Sequence, residues 1–158
     1  MEPRSKTPSR RPSAARAAMA ELQLREAAVR VTEARVKVLA ALLGAPRAYS
    51  HQDVQEALAD MDRVTLYRAL DCLTDAGLAH KIAGEDRVFR YSAGADQAVD
   101  EHQHGHFKCT RCARVFCMDG MTDAEALRDS LRRALGKGFQ SHDIEFTIKG
   151  WCADCARP

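Results

Sequence analysis

The sequence predicts an α+β fold, with a winged-helix half at the N-terminus followed by a small α/β domain. The first half of the chain has several short segments with apolar residues at helical spacing. Residues 78–82 and 87–91 then alternate in polarity around Gly84-Glu85-Asp86, which is the pattern of a β-hairpin. The second half carries two C-x-x-C pairs at the ends of a strand–helix–strand pattern.

Size and composition limit the possible classes of protein. The 158 residues suffice for one large domain or two small ones, and the 46% hydrophobic content favours a packed core over global disorder. We find no secretory signal and no apolar run near the length of a membrane span, so we expect a cytoplasmic protein without a membrane partner. Residues 1–17, rich in Pro, Ser and Arg, predict a disordered basic tail, with a transit peptide as the alternative.

The net charge of +2 is unevenly distributed along the chain. Residues 1–20 carry five basic groups and one acidic group, a sum of +4, so the remaining residues sum to −2. The folded part is therefore not basic overall. Binding to DNA would depend on local placement of charge, with the tail adding non-specific attraction.

Four helices are predicted in the first half: residues 18–31, residues 33–43, a short segment after Ser50, and residues 63–76. Thr32, Ser50 and Asp62 are residue types that cap helix N-termini, whereas Gly44 and Gly77 fit helix C-termini. Helices followed by a hairpin are the element order of a winged helix. We assign residues 18–92 to this domain.

Residues 93–101 have the composition of a linker, and residues 102–158 form the predicted second domain. Its elements are strands at about 104–109 and 114–118, a helix at 123–135, and a strand at 143–149.

The two C-x-x-C pairs are the strongest chemical signal in the sequence: Cys109, Cys112, Cys152 and Cys155. Two intervening residues let both thiolates of a pair face one ion, and two pairs complete a tetrahedron. Thiolates are soft ligands, which favours zinc or an iron–sulfur cluster over magnesium or calcium. Redox dithiols are the alternative, but neither pair shows the βαβ context that a thioredoxin-like motif needs.

Three histidines, His102, His104 and His106, alternate along a predicted extended segment, so their imidazoles point to one face and could share a divalent ion. An accidental polar stripe is the alternative. Cys117 is either a small buried hydrophobic residue or a ligand. One thiolate with two imidazoles suits zinc better than ferrous iron.

Other histidines and a cysteine are weaker candidates. His80 lies on the apolar face of the hairpin and becomes a candidate fourth ligand only because the hairpin precedes the linker. His142 is a ligand or a surface residue. We expect His51 to be a surface residue and Cys72 to have a packing role.

The fourth predicted helix has one apolar face and a polar face suited to a DNA major groove. Thr65 and Arg68 lie three residues apart on that face, near Arg63 and Tyr67. Arginine can donate two hydrogen bonds to guanine, and apolar contacts can meet a thymine methyl group. A solvated surface is the alternative. Lys81, on the predicted wing, would meet the phosphate backbone.

Four stretches together resemble the ferric uptake regulator family: V-T-E-A-R at 31–35, V-T-L-Y-R-A-L at 64–70, H-x-H-x-x-C-x-x-C at 104–112, and the closing G-W-C-x-x-C at 150–155. The resemblance covers about residues 20–156. It implies a winged helix, a C-terminal dimerisation domain and a homodimer. It also implies repression of metal-uptake genes by binding palindromic operator DNA when a regulatory metal is present.

The resemblance also implies roles for individual residues. Tyr67 and Arg68 match base-contacting positions and Arg35 a backbone contact, while the four C-x-x-C cysteines match a structural metal site. His104 and His106 match histidines of the regulatory site.

Departures from the iron-type pattern favour the zinc uptake regulator branch. Cys117 stands where iron-type members usually have glutamate, Arg90 stands where glutamate or cysteine is frequent, and His80 and His102 resemble ligands of zinc regulators. We therefore expect one structural and one regulatory Zn²⁺ per chain, with the fourth regulatory ligand open between His80 and His102.

Other functions compete with this one. An iron- or peroxide-sensing regulator would use the same scaffold. A zinc-dependent hydrolase or deaminase would need an open metal position and a motif such as H-x-E or H-E-x-x-H, and the sequence has neither motif. A metal-storage module would not need the helix–hairpin half. We therefore expect no enzyme activity and no small-molecule substrate.

Overall fold

The computed structural model describes residues 13–94, 105–118, 124–140 and 146–157. The N-terminal half contains α1 (Ala14–Glu26), α2 (Glu33–Leu43), β1 (Tyr49–Ser50), α3 (His51–Ala57), α4 (Arg63–Asp75), β2 (Ala79–Ala83) and β3 (Phe89–Ala93). The C-terminal half contains β4 (Gly105–Cys109), β5 (Val115–Met118), α5 (Ala124–Leu135), β6 (Phe146–Gly150) and α6 (Ala153–Ala156). None of the helices in these ranges is long and apolar enough to cross a membrane.

Helix boundaries in the first half follow local hydrogen bonds that the sequence predicted. The side chain of Thr32 accepts from the backbone N–H of Arg35, and Asp62 accepts from Thr65. Ser50 and Asp53 cap each other's backbone at the start of α3. Gly77 takes a φ of 71°, the left-handed conformation that ends α4.

Helix α1 differs from its prediction at both ends. It begins at Ala14 rather than at residue 18, because the side chain of Ser13 accepts from the backbone N–H of Arg16. It ends at Glu26 rather than at residue 31, because Ala28 has a φ of 55° and turns the chain. The N–H of Val29 then donates to the carbonyl of Leu24. A glycine usually marks such a helix end in the sequence, and this turn has none.

The core of the N-terminal half lies between α1, α2, α4 and the first sheet. Leu24, Leu39, Leu70 and Leu73 are fully buried there, together with Tyr91 of β3. The sheet order is β1-β3-β2, with all pairs antiparallel. Strand β1 was not predicted because a two-residue strand has no period to detect. The result is the predicted winged helix.

The C-terminal half is built on a second sheet of order β5-β4-β6. Strands β4 and β5 are antiparallel, whereas β4 and β6 are parallel and α5 lies between them in the chain. This confirms the predicted α+β class. Residues 95–101 of the predicted linker and residues 143–145 of the predicted last strand lie outside the described ranges, and β3 already includes Ala93.

The two halves contact each other along the edge of the hairpin. The N–H of Ala48 donates to the carbonyl of Val115 at 2.9 Å, and both residues are buried with Ile82. Cys117 packs against this small apolar cluster. At the turn of the hairpin, Glu85 pairs with Lys149 of β6 at 2.9 Å. Side chains from both halves therefore lie close enough to share a ligand.

Candidate metal centres and nucleic-acid interface

The four C-x-x-C cysteines converge at one end of the second sheet. Cys109 ends β4 and Cys112 follows in a tight turn, while Cys152 and Cys155 flank the start of α6. Parallel pairing of β4 with β6 aligns Cys109 with Gly150 and so brings the second pair beside the first. Their four sulfurs lie within 4.8 Å of one another.

The sulfur spacing fits a tetrahedral metal ion rather than a disulfide. Cys112 Sγ and Cys152 Sγ are 3.8 Å apart, and all four cysteines are free thiols. Ligands at about 2.3 Å from a tetrahedral zinc are separated by about 3.8 Å, whereas a disulfide requires about 2.05 Å. The donor set is closed, with four protein ligands and no position for a reacting water, which is the arrangement of a structural site.

Electrostatics within this cluster favour a bound dication. Burial raises the pKa of the Cys109 thiol, but backbone N–H groups, among them that of Cys152, outweigh it and bring the pKa to about 6. Hydrogen bonding with Cys152, then burial, raises the pKa of Cys155 to about 12. Four neighbouring thiolates would repel one another, so the four thiols do not all ionise together. A divalent cation would offset this repulsion.

Two arginines brace the cysteine turns, and sequence reasoning did not single them out. Arg111 donates to the carbonyl of Cys155 at 2.7 Å, and its guanidinium lies 3.7 Å from the ring centre of Trp151. Arg114 pairs with Asp154 at 2.6 Å. Each contact joins the Cys109–Cys112 turn to the Cys152–Cys155 turn. The available signal was an arginine within the first C-x-x-C pair and another two residues after it.

A second cluster combines His80, His106 and Cys117, whose ligand atoms lie within 4.8 Å of one another. His80 comes from β2, His106 from β4 and Cys117 from β5, so the cluster spans the contact between the two halves. His80 Nε2 is 3.3 Å from Cys117 Sγ, and the rings of His80 and His106 are 5.8 Å apart. All three side chains are half-buried.

The remaining predicted ligands have different outcomes. His102, His104 and His142 lie outside the described residues. The sequence left Cys117 open between a buried hydrophobic residue and a ligand. In the structure it packs against the apolar cluster and also faces His80. The guanidinium of Arg90 instead donates two hydrogen bonds, of 2.8 and 2.7 Å, to the carboxylate of Asp86. This pairing lowers the pKa of Asp86 to about 2.

Helix α4 presents the predicted polar face. Leu66, Ala69, Leu70 and Leu73 are buried, while Arg63, Tyr67 and Arg68 are exposed and Thr65 is half-buried. The capping bond from Asp62 fixes the start of the helix beside these side chains.

The other two predicted DNA contacts lie on neighbouring elements. Lys81 of β2 is exposed, with Nζ 4.1 Å from the ring centre of Phe89. Arg35 of α2 donates to the carbonyl of Arg30 at 2.7 Å.

His51 is not the plain surface residue that the sequence predicted. It is half-buried, its ring stacks on that of Tyr67 at 4.1 Å, and its Nε2 lies 3.2 Å from the hydroxyl of Tyr91. The expectation was wrong because the folding of α3 against α4 and β3, which are distant in sequence, creates this environment. No local pattern in the sequence could have signalled it.

His51 is expected to titrate below its ordinary value of 6.5. Burial is the main cause of the lowered pKa, nearby Lys81 contributes, and Asp71 opposes them. The neutral form is therefore favoured in the folded protein. As the pH falls from 6.5 through the folded-state pKa, the unfolded chain takes up the proton first, so the stability contributed by the neutral ring is lost.

NMR of the histidine Cε1–H resonances measures this pKa directly. A His51→Gln variant, in which this proton uptake is absent, serves as the control in acid titrations of stability. A His51 pKa at or above 6.5 would contradict the prediction.

Comparisons with known proteins agree with this geometry. The sequence model of the ferric uptake regulator family matches residues 26–148. The transcriptional regulator FurA of Mycobacterium tuberculosis is 34% identical over 138 residues, which cover 85% of this chain and 88% of the relative.

Solved structures of similar fold include metal-bound regulators. A zinc uptake regulator complexed with zinc and DNA matches with a TM-score of 0.62 and 28% identity, over 95% of this chain and 96% of that one. The ferric uptake regulator of Pseudomonas aeruginosa with manganese matches with a TM-score of 0.60 and 26% identity, over 84% and 96% of the two chains.

Proposed function

Because this chain belongs to the ferric uptake regulator family, we propose that it is a zinc-responsive repressor that binds palindromic operator DNA as a homodimer. As a member of this family it is a metal-binding transcriptional regulator of metal homeostasis and not an enzyme. The zinc assignment rests on one observation, the convergence of His80, His106 and Cys117 at the contact between the two halves.

The chemistry of this cluster supports zinc. Two imidazoles and a thiolate form a borderline-to-soft donor set, which suits Zn²⁺ better than the harder Fe²⁺ or Mn²⁺. We propose His102 or His104 as a further ligand, since both lie a few residues before His106 in the chain. Zinc would supply a fixed link among these side chains.

The position of the cluster supports a regulatory role. His80 belongs to the hairpin of the winged helix, whereas His106 and Cys117 belong to the second sheet. An ion held by all three would fix the orientation of the DNA-binding half relative to the rest of the chain. Without the ion, affinity for DNA would fall by the fraction of molecules in the competent orientation.

The four-cysteine site is proposed to hold structural zinc. Its closed set of thiols and its sulfur spacing fit a tetrahedral ion, and its position ties β4 to the end of β6. None of the four described ligands comes from the N-terminal half, so the ion would stabilise the C-terminal half rather than report metal levels.

The polar face of α4 is the proposed reading surface for DNA. Arg63, Thr65, Tyr67 and Arg68 would enter the major groove, with Lys81 on the phosphate backbone. Arg35, at the start of α2, is a second proposed backbone contact. A zinc uptake regulator of similar fold is known in complex with zinc and DNA, which supports this assignment.

The C-terminal half offers a surface for the second copy. The resemblance to the family implies a homodimer, and β6 is an edge strand whose Ile148 is 50% exposed. In α5, Leu127, Leu131 and Leu135 lie four residues apart and none is buried. We propose residues 102–158 as the dimerisation domain, residues 18–92 (with the start of α1 at Ala14) as the DNA-binding domain, and residues 93–101 as the hinge.

Metal counting and DNA binding together test the proposal. We expect the purified chain to retain one zinc per chain against a chelator and to bind a second, exchangeable zinc. Sequence-specific DNA binding should appear only with the second equivalent and should respond to zinc at much lower free concentration than to ferrous iron or manganese. Anisotropy with a palindromic duplex selected by the protein from a random library measures this, and sedimentation measures the dimer.

An iron- or peroxide-sensing regulator remains the second candidate, because the curated relative with 34% identity is named FurA. In that case ferrous iron rather than zinc would trigger DNA binding at the lower free concentration. Zinc binding without any change in DNA affinity would contradict the zinc assignment.

A further inference from the structure

We propose that His51 is a positioning residue for sequence recognition, which holds the ring of Tyr67 in the orientation needed to contact bases. This inference rests on the proposed function of the α4 face. His51 lies on α3 (His51–Ala57), not on α4, and its own ring need not touch DNA.

The two rings stack on each other with a tilt. The ring centroids of His51 and Tyr67 are 4.1 Å apart with an interplanar angle of 30°. Tyr67 is 41% exposed, so one side of its ring faces His51 and part of it remains accessible. A tyrosine on an exposed helix face without such a neighbour would exchange among rotamers. Stacking selects the orientation in which one ring face covers His51.

His51 is itself held at its backbone. It is the first residue of α3, directly after Ser50, whose side chain and backbone exchange hydrogen bonds with Asp53. The guanidinium of Arg47 donates two hydrogen bonds, of 3.0 and 2.8 Å, to the carboxylate of Asp53. The start of α3 is therefore braced by a charged pair and a capping box, and the imidazole projects from a rigid base.

The ring of His51 is also held at its far end. Its Nε2 lies 3.2 Å from the hydroxyl of Tyr91, and the two rings meet edge-on at 4.9 Å. Tyr91 is 1% exposed and pairs in the sheet with Tyr49 and Lys81. A series of contacts thus runs from the buried Tyr91 of β3, through His51, to the exposed Tyr67 of α4.

This arrangement has a consequence for binding. Immobilising a mobile side chain on association costs free energy, and a ring that is already oriented avoids that cost. The gain applies to contacts with base edges, because contacts with phosphates do not depend on the orientation of Tyr67. Loss of His51 should therefore reduce affinity for a preferred sequence more than affinity for DNA in general.

The test compares ring-less and ring-bearing substitutions in the zinc-loaded full chain. Anisotropy titrations use the palindromic duplex selected from a random library and a scrambled duplex of the same composition. We expect His51→Ala to weaken binding to the selected duplex about three- to tenfold, the range of an aromatic pair, and to leave binding to the scrambled duplex nearly unchanged. His51→Phe keeps the stack and should retain most of the affinity.

A double-mutant cycle separates positioning from a direct DNA contact. In a Tyr67→Ala background, His51→Ala should cause no further loss, because there is no ring left to position. Independent losses that multiply would overturn the inference, as would wild-type affinity for the selected duplex in His51→Ala. Zinc content and circular dichroism confirm folding, and His51→Asn is the second ring-less variant if alanine at the helix start impairs it.

The same measurements distinguish this inference from the function on which it rests. If Tyr67→Ala itself binds the selected duplex normally, the assignment of α4 as the reading surface fails and the inference fails with it. If Tyr67→Ala weakens binding while both ring-less His51 variants do not, only the inference is overturned.

Discussion

Replacing Cys112 with serine is expected to remove the structural zinc and unfold the C-terminal half of the chain. A structural zinc contributes about 10–16 kcal/mol of binding free energy in small zinc domains, comparable to the whole stability of about 5–15 kcal/mol of a typical domain. A serine hydroxyl is a poor replacement for a thiolate, so one substitution forfeits much of this free energy.

The packing of the C-terminal half explains why the loss should be so large. Among its described residues, the buried hydrophobic side chains are Cys109, Val115 and Cys152, of which two are proposed metal ligands. The described side chains of α5 and β6 are half-buried or exposed. Little apolar burial within one chain remains to hold the sheet when the ion is absent.

Metal analysis and thermal unfolding measure the outcome. We expect the Cys112→Ser protein to contain at least one zinc fewer per chain and to lose both the dimer and the unfolding transition of the C-terminal half. Cys72→Ser is the matched control, since Cys72 lies half-buried on α4 and outside both metal clusters. A Cys112→Ser protein with a tight, chelator-resistant zinc and an unchanged melting curve would contradict the structural assignment.

Replacing Cys117 with serine is expected to abolish zinc-dependent DNA binding while leaving a folded dimer with its structural zinc. The substitution removes the single thiol from the proposed regulatory cluster but nearly retains the size of the side chain, so the small apolar contact of Ala48, Ile82 and Val115 is preserved. Even outer ligand partners change metal affinity by about 10–100-fold, so loss of a direct ligand should lower it by at least about 100-fold.

Competition with a zinc chelator measures the affinity of the exchangeable site, and anisotropy measures the response of DNA binding. Non-specific binding at low salt should persist, because phosphate contacts do not need the regulatory ion. Cys72→Ser again serves as the control, with both zinc sites and the DNA response retained. Normal zinc-triggered binding to the selected duplex in Cys117→Ser would exclude the cluster as the regulatory site.

Local chemistry was readable from the sequence. The caps at Thr32, Ser50 and Asp62 each satisfy backbone N–H groups within three residues, and the structure contains all three. The spacing of each C-x-x-C pair is equally local. The winged helix could be predicted because its helices and hairpin are regular segments of sufficient length. The two-residue β1 and the glycine-free end of α1 at Ala28 could not, because neither has a recognisable sequence pattern.

Donor type and spacing are properties of the residues themselves, so the residues with metal-binding or DNA-binding chemistry could be identified without a structure. Which of these residues meet depends on how the chain folds. His80 and Cys117 are separated by 37 positions yet lie 3.3 Å apart, and His51 reaches Tyr91 across 40 positions. Such contacts form because whole elements pack along buried faces and sheet edges. The position of one side chain therefore depends on distant residues, and no window of the sequence contains that information.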